Sequence, residues 1–140
     1  MSTKAFPILL VEDDVVDVMA VKRAFRELGV PNTLHVVGNG EEALHFLRDA
    51  LQPIPGLILL DLNMPRMNGV DFLKVLKDDP NLRRLPVVVL TTSKEQSDRS
   101  AAFNLSVAGY MVKGTDYTEF LDMIRTVQRY WNLSEMPPAQ

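Results

Sequence analysis

Five short apolar runs, each followed by a stretch patterned like a helix, constrain this chain more than any other feature. The first run is Ile8-Leu9-Leu10-Val11, and it stops at Glu12-Asp13-Asp14. Val18, Val21, Phe25 and Leu28 then recur at spacings of three and four, one face of a helix. Asp14 is placed to cap that helix, and Gly29 with Pro31 to stop it. Thr33 to Val37 reads as a short strand before the Gly38-Asn39-Gly40 turn. Ala43, Leu44 and Leu47 face inward from a second helix, which ends before Pro53. Leu57-Ile58-Leu59-Leu60 runs into Asp61, and Val70, Leu73 and Leu76 mark a third helix. Pro86 opens Val87-Val88-Val89-Leu90, which ends at Thr91-Thr92. Lys94 to Asn104 carries a weaker helical signal. Val107 to Val112 is a fifth strand ending at Lys113, and Phe120, Leu121, Ile124, Val127 and Trp131 stripe a last helix. Ser134 to Gln140, with Pro137-Pro138, is expected to fray.

Strands alternating with helices imply a parallel sheet covered on both faces. Strands buried on both sides are continuously apolar rather than alternating, as the first, third and fourth runs are. At 140 residues, 46% hydrophobic and 24% charged, the chain suits one globular domain with a real core. It has no cysteine, which excludes disulfides, thiolate metal sites and a cysteine nucleophile. A formal charge of −3 argues against sequence-independent nucleic-acid binding. Met1 to Phe6 does not resemble a signal peptide, and no apolar run approaches a membrane span. A cytoplasmic protein is expected.

Ligands of such sheets bind beyond the carboxyl ends of the strands. There the chain places Glu12 and Asp13 after strand one, Asp61 after strand three, Thr91 at the end of strand four and Lys113 after strand five. Three carboxylates brought to one edge repel each other, and burial raises their pKa values unless a cation neutralises them. A hard divalent ion with oxygen ligands answers that need, Mg²⁺ in particular. Any one of these acids could merely cap a helix. The whole set converging on one edge points to a functional site.

These residues also carry a family resemblance. Leu9-Leu10-Val11-Glu12-Asp13-Asp14, Leu59-Leu60-Asp61-Leu62-Asn63-Met64-Pro65 with Asn68-Gly69, Leu90-Thr91-Thr92, and Gly109-Tyr110-Met111-Val112-Lys113 together resemble the receiver domain of bacterial response regulators. The likeness runs from about Pro7 to about Tyr130. It implies a doubly wound, flavodoxin-like (βα)5 fold with strand order 2-1-3-4-5. A single domain would span 1–140, with a core over about 7–131 and a tail over 132–140. By the resemblance, Asp61 accepts a phosphoryl group from a histidine kinase, beside Mg²⁺ or Mn²⁺. Asp13 and Asp61 would ligate the ion directly, Glu12 through water, and Asn63 through its backbone carbonyl. Lys113, a mobile point charge, would meet a phosphoryl oxygen. Thr91 would hydrogen-bond the phosphoryl group and Tyr110 would swing inward behind it, reshaping the surface of helix four, strand five and helix five. Taken alone, Thr91 or Tyr110 reads as an ordinary strand residue. The long connection from Arg48 to Gly56 and the Tyr130-Trp131 pair resemble the stand-alone regulators paired with phytochrome kinases.

The family usually has a cis proline after its strand-five lysine, where this chain has Gly114. A cis bond to a non-proline residue costs about 2.5–4 kcal/mol, so a trans bond is open here and the reach of Lys113 less constrained. His35 and His45 lie in no metal-ligand spacing, and Arg83-Arg84 with Lys77 reads as a solvated helix end. Two alternatives stand beside the receiver reading. One is a haloacid-dehalogenase-like phosphatase, which carries a second acid where this chain has Asn63. The other is a docking module that takes no phosphate. No output domain is expected after the last helix, so signalling would pass through a protein target or a phosphotransfer protein. A two-fold homodimer through the helix-four, strand-five and helix-five face is expected, with Tyr130 and Trp131 contributing contacts. The other possibility for Trp131 is that it folds back on its own domain.

Overall fold

The computed structural model describes residues 6–113 and 116–134. Its elements alternate as the pattern requires: β1 (Ile8–Val11), α1 (Val15–Glu27), β2 (Leu34–Val37), α2 (Gly40–Arg48), β3 (Leu57–Leu60), α3 (Gly69–Asp78), β4 (Val87–Thr91), α4 (Gln96–Asn104), β5 (Gly109–Val112) and α5 (Tyr117–Leu133). All strands pair in parallel in the order β2-β1-β3-β4-β5. This is the doubly wound sheet expected.

The period of two along each strand divides the core into two halves. Leu9, Val11, Ile58, Leu60, Val87 and Val89 point to one face, against Ala43 and Leu44 of α2, Phe72, Leu73 and Leu76 of α3, and Ala102 of α4. Ile8, Leu10, Leu57, Leu59, Val88 and Leu90 point to the other, against Val21, Ala24 and Phe25 of α1 and Phe120, Ile124, Val127 and Trp131 of α5. Both faces are covered, so every residue of β1, β3 and β4 is buried. Each apolar side chain among them contributes roughly 1.5–3 kcal/mol of transfer free energy.

Side-chain caps start four of the helices. Asp14 accepts the backbone N–H of Val16 at 2.8 Å, Asn39 that of Glu42 at 3.0 Å, Asn68 that of Asp71 at 2.9 Å and Asp116 that of Glu119 at 2.8 Å. Helix α4 has no such cap and buries only Ala102, which accounts for its weak signal in the sequence. Strand β2 begins one residue later than expected. Strand β5 begins two later, because Ser106 turns the chain at φ 60° before Ala108 donates to the Val87 carbonyl at 2.7 Å. Asn132 and Leu133, expected in the tail, complete α5 and Ser134 caps it, while residues 135–140 and Gly114 lie outside the described residues.

Candidate functional site

The parallel ladder continues one residue past several strands and so sets the site. The backbone N–H of Glu12 donates to Val37 at 3.0 Å, that of Asp61 to Val11 at 3.0 Å, and that of Lys113 to Thr91 at 2.8 Å. These residues therefore begin at one edge of the sheet. At Gly69 a Cβ would stand 2.6 Å from the Asp61 carbonyl oxygen and 2.6 Å from Leu62 Cα. Only glycine lets α3 start this close to the strand that carries Asp61.

Carboxylate oxygens of Glu12, Asp13 and Asp61 all lie within 4.8 Å of one another. Glu12 and Asp61 are buried, and Asp13 is exposed. Burial pushes the Glu12 carboxyl up to about 7, against the hydrogen bond and charge of Lys113, and the Asp61 charge pushes it further. Burial also raises Asp61, opposed by Lys113, the Thr91 hydroxyl and the Asn63 backbone N–H. Two buried acids that resist ionisation beside a third carboxylate form a site deficient in positive charge. An all-oxygen donor set of this kind fits Mg²⁺ or Mn²⁺.

Thr91 is fully buried. Its Oγ1 accepts from Ser93 N at 3.3 Å and from Asn63 Nδ2 at 3.5 Å. Tyr110, half-buried, donates its hydroxyl to the Ser93 carbonyl at 3.0 Å, linking β5 to the loop after Thr91. Lys113 is not the free charge the sequence implied. Its ammonium donates to Glu12 Oε1 at 2.6 Å and to Asp17 Oδ2 at 2.8 Å, with a side chain 7% exposed. Burial works against its charge, yet the hydrogen bonds to Asp17 and Glu12 hold it above its ordinary range.

Glu12, Asp13, Asp61, Asn63, Thr91 and Lys113 thus come together as expected. Asp17 was missed, although its place one turn past the Asp14 cap puts it on the same end of α1. The interface role expected of Trp131 is corrected. Trp131 is 1% exposed and packs its ring 6.2 Å from Phe25 and 6.4 Å from Phe6, centroid to centroid. Trp131 closes the apolar stripe of α5 as the last of its buried residues, so this indole belongs to its own core. Tyr130 remains 43% exposed.

A family model described as the response regulator receiver domain matches residues 8–125. The chain belongs to the response-regulator receiver family. The receiver domain is 35% identical over 136 residues to the response regulator Rcp1 of Synechocystis sp., covering 94% of this chain and 92% of that protein. It is 34% identical over 129 residues to the probable methanogenesis regulatory protein FilR2 of Methanothrix harundinacea, covering 90% and 83%. Among solved structures, the phosphorylated cyanobacterial phytochrome response regulator RcpA superposes with a TM-score of 0.91 at 33% identity, over 96% of this chain and all of that one. The Mn²⁺-bound form of Rcp1 superposes with a TM-score of 0.88 at 34% identity, over 96% and 99%. The haloacid-dehalogenase alternative gives way to this match. Among the described residues of this receiver domain, no helix is long and apolar enough to cross a membrane.

Proposed function

We propose that Asp61 is the phosphoacceptor of a response regulator served by a histidine kinase. The observation that carries this reading is the Asp61 carboxylate, buried at the end of β3 and ringed by Glu12, Asp13, Thr91 and Lys113. One Asp61 oxygen attacks phosphorus and forms a new O–P bond. The donor's N–P bond breaks, and the released histidine nitrogen keeps the electron pair. A divalent ion, when bound, supplies charge neutralisation for the transferring group. Asp13, Asp61, the Asn63 carbonyl and Glu12 through water are its proposed holders. Thr91 and Lys113 meet the phosphoryl oxygens, and the chain thereby catalyses its own phosphorylation. In dephosphorylation water attacks phosphorus, the Asp61 O–P bond breaks, and the carboxylate and inorganic phosphate are released.

The likeness to the phytochrome response regulator RcpA supports a phytochrome kinase as the donor. Through Ser93, Tyr110 is coupled to the loop that follows Thr91, which supports these two residues as the switch. Phe103 on α4 and Tyr130 on α5 are both exposed, which supports a homodimer through α4, β5 and α5 without Trp131. A protein target or a phosphotransfer protein would read the same face.

Incubation with Mg²⁺ and labelled acetyl phosphate tests the central assignment. One base-labile phosphoryl group per chain is expected, absent from Asp61→Asn. Continuous turnover without stoichiometric label would instead indicate a phosphatase. No label at all would indicate a phosphate-independent docking module. Phosphotransfer profiling against the host's histidine kinases then identifies the donor.

A further inference from the structure

We propose that Asp17 is a positioning residue that restrains Lys113 from the phosphoryl position on Asp61. The inference rests on the reading of Asp61 given above. An ammonium has three N–H donors. Among the described residues, Lys113 spends two of them on Glu12 and Asp17 and makes no hydrogen bond to Asp61. Asp61 reaches it only as a neighbouring charge. To serve a phosphoryl group, the lysine must turn its head toward Asp61, which means loosening one arm or stretching both.

The two arms are unequal. The Glu12 side chain is 3% exposed and that of Asp17 is 33% exposed. A buried carboxylate that loses its partner is left uncompensated in a poor solvent, whereas a partly exposed one is re-solvated by water. The Asp17 arm is therefore the one that yields. Asp17 sits on the first turn of α1, fixed by the Asp14 cap, so its carboxylate is held by a rigid element rather than a loop.

The test compares phosphorylation rates at subsaturating acetyl phosphate with Mg²⁺. Asp17→Asn should speed the reaction about threefold, the scale of a partly exposed ion pair. Asp17→Glu, which keeps the charge, should reverse most of that gain. In a Lys113→Ala background, Asp17→Asn should change the rate far less. A slower or unchanged Asp17→Asn overturns the restraint, and so does an equal gain in the Lys113→Ala background. Thermal unfolding of each variant separates these outcomes from misfolding, and Asp17→Ser repeats the test if Asn fails to fold. A wild-type chain that takes no label overturns the reading of Asp61 and this inference with it. A labelled wild type with a neutral Asp17→Asn overturns this inference alone.

Discussion

Lys113 Nζ lies 2.6 Å from Glu12 Oε1, although the two residues are 101 positions apart in sequence. They leave β5 and β1, which stand three places apart in the sheet, with β3 and β4 between them. The pair therefore reaches across the strand ends that carry Asp61 and Thr91. It ties the two halves of the site together and, among the described residues, leaves Asp61 near the Lys113 charge but without an ion pair of its own.

That deficit makes Asp61→Asn informative beyond activity. Phosphorylation should vanish while the fold gains stability, since burial opposes ionised Asp61 by more than Lys113, Thr91 and Asn63 offset. A rise in Tm of about 3 °C or more is expected, the size of roughly 1 kcal/mol in a domain like this. Label retained at wild-type stoichiometry would remove Asp61 from its role.

Asp13 is the exposed member of the acidic cluster. Asp13→Ala should abolish saturable Mg²⁺ binding and leave folding intact, because it deletes a ligand without opening the core. Amide shifts at Asp61 and Asn63 report this directly. Shifts that still saturate in the variant would mean that the ion is held elsewhere.

Glu12 makes the site sensitive to pH. Its carboxyl moves from its ordinary 4.5 to about 7 on folding, so the folded chain binds that proton more tightly than the unfolded chain does. Its contribution favours the fold most below pH 4.5, declines as pH rises to about 7, and is constant above. Urea unfolding from pH 4.5 to 8 should show this decline in the wild type, and Glu12→Gln should flatten it. Mg²⁺ affinity should climb over the same window, because the ion competes with the proton. A pH-independent difference between wild type and Glu12→Gln would contradict the assignment.

The neighbouring aromatics of α5 should behave oppositely. Trp131→Ala empties the space between Phe6, Phe25 and α5, and should cost about 3–5 kcal/mol. Tyr130→Ala, at an exposed position, should shift stability by no more than about 0.5 kcal/mol while weakening any dimer seen by sedimentation. Equal destabilisation by the two would contradict the packing.

Patterns that repeat locally were legible in the chain by itself. Apolar runs buried on both faces announced β1, β3 and β4, because a strand covered on two sides cannot alternate. Cap and turn chemistry announced the first helix through Asp14, Gly29 and Pro31. The polar ends of the strands named Glu12, Asp13, Asp61, Thr91 and Lys113, because a parallel sheet delivers all its carboxyl ends to one edge. What a long side chain touches after it leaves that edge has no local pattern. The second partner of Lys113 is 96 residues away on a helix packed against the sheet, and only the closed fold selects Asp17. Trp131 was misplaced for the same reason. An aromatic at the end of an amphipathic stripe faces core or solvent according to whether another segment covers it, and Phe6, from before β1, decides that only when the sheet is assembled.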